Sequence, residues 1–223
     1  MFLVESVRHE SWPLAAAFSI SRGTKTSAEV VVVEMSDGDF HGRGECVPYP
    51  RYGESIESVI AQIESVRADL ANGMDRTALQ SVMPAGAARC ALDGAFWDLE
   101  AKHSGERAWQ LAGLKAPGSV TTVYTISLDT PEKMGASAKA NADRPLMKLK
   151  LTGEGDLDRV AAVRENAPNT ELVVDANEGW SPDMVEPFLF HQTYFRRPFR
   201  IATDRRGFIY LFLIAHVSDL FCH

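Results

Sequence analysis

The feature that most constrains the fold is a pair of strand-like segments that carry charged residues and are separated by one helix-like segment. Residues 146–151 read LMKLKL, and residues 172–177 read LVVDAN. Because side chains alternate along a strand, Lys148 and Lys150 lie on the same face. A strand, a helix and a second strand in this order predict a parallel pair joined by a right-handed crossover. Functional groups at the ends of such strands gather at one edge of the sheet.

The charged residues on these two segments suit proton abstraction next to a carboxylate. Two ammonium groups on one strand face repel each other, so one of these lysines can act as a neutral base near pH 7. Asp175 follows one βα unit later, where its carboxylate can hold a hard cation such as Mg²⁺. The alternatives are that the lysines protect a solvated sheet edge and that Asp175 and Asn177 cap a helix or turn. We interpret the group as functional because a strand between two helical segments is covered on both faces.

Composition favours a globular protein that acts on a small molecule. The 223 residues are 45% hydrophobic and have a net charge of −7. This acidic balance argues against nucleic-acid and membrane partners, because both favour a basic face. Three cysteines without C-x-x-C spacing, together with an N-terminus that does not read as a signal peptide, predict a cytoplasmic protein. The longest apolar run, residues 208–217, is about half the length needed to cross a bilayer.

The first part of the chain is predicted to form an antiparallel sheet followed by helices. Alternating apolar residues indicate strands at residues 2–9, 28–35 and 40–46, with an Asp-Gly turn before the third strand. Residues 11–26 and 47–53 contain Pro and Gly and are predicted to be loops. Helical spacing then indicates three helices between residues 55 and 102.

From residue 120 onward the periodicity alternates between strand and helix. The predicted strands cover residues 120–127, 146–151 and 171–175, and the predicted helices cover residues 131–142, 157–166 and 182–189. This spacing matches part of a (β/α)₈ barrel, in which Thr125, Lys148, Lys150, Asp175 and Asn177 fall near the C-terminal ends of strands. The predicted boundaries are therefore an N-terminal domain of antiparallel sheet and helices at 1–115, a partial barrel at 116–189 and a tail at 190–223.

Arg22 and two G-x-G pairs have competing interpretations. Arg22 in the first predicted loop is either a solvated charge or a bidentate clamp for a substrate carboxylate. The pairs at residues 42–44 and 153–155 lack the third glycine of a dinucleotide fingerprint. We therefore interpret both pairs as turn glycines.

Several longer segments resemble the muconate-lactonizing group of the enolase superfamily, and in particular its dipeptide epimerases that act on L-Ala-D/L-Glu. The resemblance covers roughly residues 1–189, and the segment at 44–55 is its most specific part. The supporting segments are residues 10–14, 20–24, 44–55, 84–93, 148–150 and 174–178.

The resemblance implies an α+β capping domain followed by a TIM-type barrel. It also implies Mg²⁺-dependent 1,1-proton transfer at the α-carbon of an acidic dipeptide. The roles implied by the resemblance are Lys150 as the base, Lys148 as its electrostatic auxiliary, Asp175 as the first Mg²⁺ ligand, and Arg22, Thr125 and Asn177 as substrate contacts.

The family continues for five more barrel strands, which supply a Glu, an Asp and another Lys. Residues 190–223 have a different, aromatic and Arg-rich composition. We therefore expect a truncation or frame shift near residue 189, an incomplete α/β barrel of about three βα units, and a chain that is inactive by itself. The alternatives are a cycloisomerase or o-succinylbenzoate synthase of the same group, or a non-catalytic fragment that acts by association. An open sheet edge also favours a homo-oligomer.

Overall fold

The structure is a computed structural model that describes residues 2–181, residue 184 and the backbone of residues 200–203 and 209–212. The chain divides into two compact units. The first contains Met1–Leu14 and Ser27–Gly118, and the second contains Ala15–Thr26 and Ser119–His223. In the described part of the chain, no helix is both long and apolar enough to cross a membrane.

The first unit combines a β-sheet with helices, and the end of β1 and the start of β2, residues 15–26, belong to the second unit. Its sheet has the strand order β1-β2-β3, and β2 pairs with β3 in an antiparallel register in which Ser36 lies opposite His41. The strands are β1 (Leu3–Ile20), β2 (Gly23–Ser36) and β3 (His41–Cys46), and the helices are α1 (Ile56–Ser65), α2 (Arg67–Ala71), α3 (Arg76–Val82), α4 (Ala87–Ser104) and α5 (Ala108–Leu111). The predicted antiparallel sheet and helices of a capping domain are confirmed.

The loop predicted for residues 11–26 is wrong. Residues 11–20 belong to β1, residues 23–26 belong to β2, and only Ser21 and Arg22 form the turn between them. Pro13 is tolerated in β1 because this strand lies at the edge of the sheet order, where a missing backbone N–H breaks no ladder. The second predicted loop, residues 47–53, is confirmed and contains a short 3₁₀ turn at Pro50–Tyr52.

Two glycines of β3 allow α4 to pack directly on the sheet. A Cβ atom at Gly42 would lie 2.2 Å from the carbonyl oxygen of Ala95, and one at Gly44 would lie 1.9 Å from that of Ala91. Both distances are far below van der Waals contact. The interpretation of this G-x-G pair as turn glycines is therefore wrong. The pair at residues 153–155 does lie in a turn, where Gly153 and Gly155 have φ values of 128° and 74°.

The second unit contains the predicted alternation of strands and helices. Its parallel sheet has the order β4-β5-β6, so consecutive strands are neighbours. The elements are β4 (Tyr124–Ile126), α6 (Pro131–Ala140), β5 (Leu146–Lys150), α7 (Asp156–Asn166) and β6 (Glu171–Asp175). Two further strands, β7 (Arg200–Thr203) and β8 (Ile209–Phe212), pair with each other in an antiparallel arrangement. Apart from Met184, the helix predicted at residues 182–189 lies outside the described residues.

One face of the parallel sheet forms an apolar core with α6 and α7. Met147 and Leu149 of β5 are fully buried there with Leu172 of β6. Because side chains alternate along a strand, Lys148 and Lys150 point to the opposite face. Burial of the apolar face thus fixes which face of the sheet carries the charged residues.

We expect Gly44→Ala to lower the free energy of unfolding by roughly 3 kcal/mol, because its Cβ would overlap the Ala91 carbonyl oxygen and force α4 away from β3. Gly118→Ala is the matched control, since a Cβ there meets no atom within 4 Å. Urea unfolding followed by circular dichroism measures both changes. Equal midpoints for the two variants would contradict the close packing of α4 on β3.

Candidate active site

The register of the parallel sheet brings the charged residues into two adjacent rows. Thr125 of β4 pairs with Lys148 of β5, and Lys150 at the end of β5 pairs with Asp175 at the end of β6. Paired residues of neighbouring strands point to the same face of a sheet. The half-buried Thr125 therefore lies beside Lys148, one row below Lys150 and Asp175.

Both lysines bind the same carboxylate oxygen. Lys148 Nζ lies 2.8 Å and Lys150 Nζ lies 2.7 Å from Asp175 Oδ2. The other carboxylate oxygen, Oδ1, accepts a hydrogen bond of 2.9 Å from the backbone N–H of Asn177. The two lysines are thus held side by side at the C-terminal edge of the sheet by one acidic group.

The environment keeps this carboxylate ionised. Burial by itself would raise the pKa of Asp175, but the hydrogen bonds from Lys148, Lys150 and the Asn177 backbone outweigh it and lower the pKa to about 2. Lys150 is 8% exposed, so its charge is largely removed from water. A buried ammonium is tolerated only when an opposite charge and hydrogen bonds compensate the lost hydration, and Asp175 provides both.

The tip of the β1–β2 hairpin, residues 15–26, lies over this edge of the sheet within the second unit. The Ser21 hydroxyl and Arg22 Nη1 both donate to the backbone carbonyl of Asn177, at 2.9 and 2.8 Å. The Phe18 ring centroid lies 6.0 Å from Lys150 Nζ. The hairpin tip therefore places Phe18 near Lys150 and binds Arg22 to the turn that follows Asp175.

The hairpin tip is also hydrogen-bonded to the segment after β4. The backbone N–H of Ser19 donates to Ser127 Oγ at 2.7 Å, and the N–H of Leu128 donates to the Ser19 carbonyl at 3.1 Å. The tip is thus bound at both outer strands of the parallel sheet. These contacts leave Lys148 and Asp175 only partly exposed, at 27% and 18% of their side chains.

The segment that follows β6 is held by a buried carboxylate. Asp156, at the start of α7, is 1% exposed and accepts hydrogen bonds from Trp180 Nε1 at 2.7 Å and from the backbone N–H of Gly153 at 2.6 Å. Arg159 Nη1 also lies 2.9 Å from this carboxylate. Asp156 thereby ties the turn after β5 to the turn after β6, and these two turns follow Lys150 and Asp175 directly.

The residues present do not complete a Mg²⁺ site. Mg²⁺ requires about six oxygen ligands in octahedral geometry. Within the described ranges, no group of three or more His, Cys, Asp or Glu side chains is placed to hold a metal ion. Asp175 supplies one carboxylate, and its Oδ2 is already bound by both lysines. The described residues therefore lack the set of three carboxylate or imidazole ligands that would complete such a site.

The residues predicted to share one sheet edge lie there in the structure: Thr125, Lys148, Lys150, Asp175 and Asn177. Arg22, predicted to lie in a long loop, lies in a tight hairpin turn. The sequence patterns do not predict the contacts made around this edge by Phe18, Ser21, Asp156, Glu178 and Trp180. The Asp directly after the second G-x-G pair was a usable signal for a helix start, since Asp is favoured in the first turn.

Comparison with known proteins identifies similar chains for both units. Residues 4–113 match the family described as mandelate racemase / muconate lactonizing enzyme, N-terminal domain. The L-Ala-D/L-Glu epimerase of Escherichia coli is 46% identical over 176 residues, which cover 78% of this chain and 55% of that protein. The chain therefore spans about half the length of this curated relative.

Two solved structures extend the similarity to the fold. One is an enolase family member from Agrobacterium tumefaciens with homology to dipeptide epimerases, solved with bound sodium and L-Ala-L-Glu. Its sequence is 48% identical, and its TM-score is 0.80 over 86% of this chain and 59% of that one. A dipeptide epimerase from Cytophaga hutchinsonii, complexed with Mg and D-Ala-L-Val, is 27% identical with a TM-score of 0.71 over 84% of this chain and 55% of that one.

We expect Asp175→Asn to destabilise the chain at pH 5 by about 2 kcal/mol, because the folded-state pKa of about 2 lies below the usual value of 3.8. Because the pKa is lower in the folded state, the ionised carboxylate stabilises the fold at every pH above the unfolded-state pKa. This stabilisation is lost as the pH falls from about 4 to about 2. Urea unfolding at pH 5, 4 and 3 measures the loss. Asp143→Asn, at an exposed position, is the control. A difference between wild type and Asp175→Asn that does not shrink with falling pH would contradict the ion-pair assignment.

Proposed function

Because this chain belongs to the mandelate racemase / muconate lactonizing enzyme family, we propose that it carries one half of the active site of a dipeptide epimerase, an isomerase that inverts an α-carbon. The observation that carries the proposal is the pair of lysines held at 2.7 and 2.8 Å from Asp175 at the end of the parallel sheet. The similar E. coli and A. tumefaciens proteins are named for dipeptide epimerisation or homology to it. Their names favour this activity over a cycloisomerase or an o-succinylbenzoate synthase.

Inversion at an α-carbon requires removal of a proton from one face and return of a proton to the other. We assign the first step to Lys150, whose ε-amine acts as the base in its deprotonated form and lies at the C-terminal end of β5, where barrel chemistry takes place. Lys148, one row below on the same face, acts as its electrostatic auxiliary. Asp175 fixes the position of both amines. We assign no described residue to the return of the proton on the opposite face.

We propose an acidic dipeptide such as L-Ala-L-Glu as the substrate. This assignment is supported by the names of the similar proteins and by Arg22, whose guanidinium binds the backbone carbonyl of Asn177, two residues after Asp175, and suits a carboxylate. Thr125 and Asn177 are assigned as further substrate contacts. Among the described residues, Asn177 Oδ1 is the buried side-chain polar atom without a hydrogen-bond partner, so a donor for it has to come from a group that the structure does not contain.

We extend the proposal to Mg²⁺ as cofactor of the whole protein, because a solved relative is complexed with Mg. Asp175 would be one ligand, and the others would come from outside the described residues. The acidic composition supports a small-molecule substrate rather than a nucleic-acid or membrane partner. The cytoplasmic location and the homo-oligomer remain predictions.

We expect Lys150→Ala to abolish proton exchange at the substrate α-carbon and Lys148→Ala to weaken it, because only Lys150 removes the proton directly. The measurement uses a chimera of residues 1–181 with the remaining length of the E. coli L-Ala-D/L-Glu epimerase. Deuterium incorporation from D₂O into L-Ala-L-Glu in the presence of Mg²⁺ is followed by NMR. Lys133→Ala, on an exposed face of α6, is the control. Equal exchange in the unmodified chimera and its Lys150→Ala variant would contradict the assignment.

We also propose that the 223-residue chain by itself does not invert L-Ala-L-Glu at an appreciable rate. Loss of one positioned acid costs roughly 10²–10⁴-fold in rate, and a loosely held cation costs about 10²-fold more. Optical rotation of L-Ala-L-Glu with Mg²⁺, measured beside the chimera, tests the difference. Comparable turnover by both proteins would show that the described sheet edge is sufficient.

A further inference from the structure

Glu178 lies beside Arg22 in the turn that follows β6. Arg22 Nη1 donates to the backbone carbonyl of Asn177 at 2.8 Å and lies 3.5 Å from Glu178 Oε2. The Glu178 side chain is 19% exposed, whereas that of Arg22 is 37% exposed. The carboxylate of Glu178 is therefore the more buried partner, and it lies in the turn directly after Asp175, which binds the two lysines.

The backbone of Glu178 is held in a conformation that disfavours a side chain. Asn177 and Glu178 have φ values of 48° and 69°, which place both in the left-handed region. Asn tolerates this region, whereas a Glu residue occupies it at a steric cost that glycine would avoid. Strain of this kind persists only where the surrounding structure fixes the conformation. The turn therefore holds the Glu178 side chain in a defined position beside Arg22.

The guanidinium of Arg22 is contacted on one edge by the described residues, which leave its other edge open. Within the part of the chain that the structure describes, both contacts of this guanidinium are made by Nη1. The Nε and Nη2 atoms form the edge that binds a carboxylate bidentately, and this edge is left available. Glu178 and the Asn177 carbonyl thus hold the guanidinium from one side and leave the opposite edge for a ligand.

We propose that Glu178 is a positioning residue for Arg22 and thereby determines preference for acidic over neutral dipeptides. The preference rests on the proposed function, in which Arg22 binds the acidic side chain of the substrate. A pre-positioned guanidinium loses less rotational freedom when it binds a carboxylate, so affinity for acidic ligands rises while that for neutral ligands does not. The pair is partly exposed to water, so its effect is modest, roughly two- to fivefold in affinity.

The first experiment needs no substrate. Side-chain NMR of the ¹⁵N-arginine-labelled 223-residue chain follows the Nη signals of Arg22, which Arg22→Lys identifies by their loss. We expect Glu178→Ala to accelerate rotation of the guanidinium and Glu178→Gln to do so less, because the amide keeps a side chain of the same size with an oxygen that can accept from Arg22. Glu154→Ala is the matched control, since Glu154 is exposed in the turn after β5. Unchanged Arg22 dynamics in Glu178→Ala would overturn the proposal.

The second experiment measures selectivity. Titration of the same chain with L-Ala-L-Glu and with L-Ala-L-Leu, followed by NMR, gives the two affinities. We expect Glu178→Ala to weaken L-Ala-L-Glu binding two- to fivefold without changing L-Ala-L-Leu binding, and Glu178→Gln to restore part of the loss. Equal weakening for both dipeptides would mean a merely structural role and would overturn the proposal. If the wild-type chain binds neither dipeptide, the assigned preference falls with the proposed substrate, and the first experiment still decides whether Glu178 positions Arg22.

Discussion

The carboxylate of Asp175 is the group on which the charged face of the second unit depends. Lys148 and Lys150 converge on its Oδ2 atom, and Lys150 is almost fully buried. Without a shared anion, two ammonium groups this close would repel each other. The buried ammonium of Lys150 would also lack compensation for its lost hydration. The parallel register that pairs Lys150 with Asp175 is therefore what allows two lysines to stand side by side at this sheet edge.

Asn177 connects this ion-pair cluster to the hairpin tip. Its backbone N–H donates to Asp175, and its backbone carbonyl accepts from Ser21 and Arg22. A displacement of the turn after β6 would therefore affect the lysine pair and the arginine together. Asp156 restrains that turn from the other side through Trp180. The proposed proton-transfer and substrate-binding groups are thus connected through the turn after β6, and such a connection supports the positional accuracy that catalysis requires.

Local patterns accounted for much of the fold and for the composition of the site. Alternation placed Lys148 and Lys150 on one face, and the strand-helix-strand order predicted the parallel sheet with functional groups at its C-terminal edge. Prediction failed where the same residue types serve two structural purposes. Pro13 suggested a loop but lies in an edge strand, and Gly44 suggested a turn but allows α4 to approach β3. Both outcomes depend on which element lies alongside, which the local sequence does not specify.

The sequence by itself determined the order of the elements, the charged face of the parallel sheet and the residues at its edge, because each follows from periodicity over a few neighbouring residues. Only the tertiary structure decided that the hairpin tip covers that edge and that Arg22 meets Asn177 and Glu178. The Ser21–Asn177 contact joins residues 156 positions apart. Contacts of that separation are set by how whole elements pack, and no local pattern encodes them.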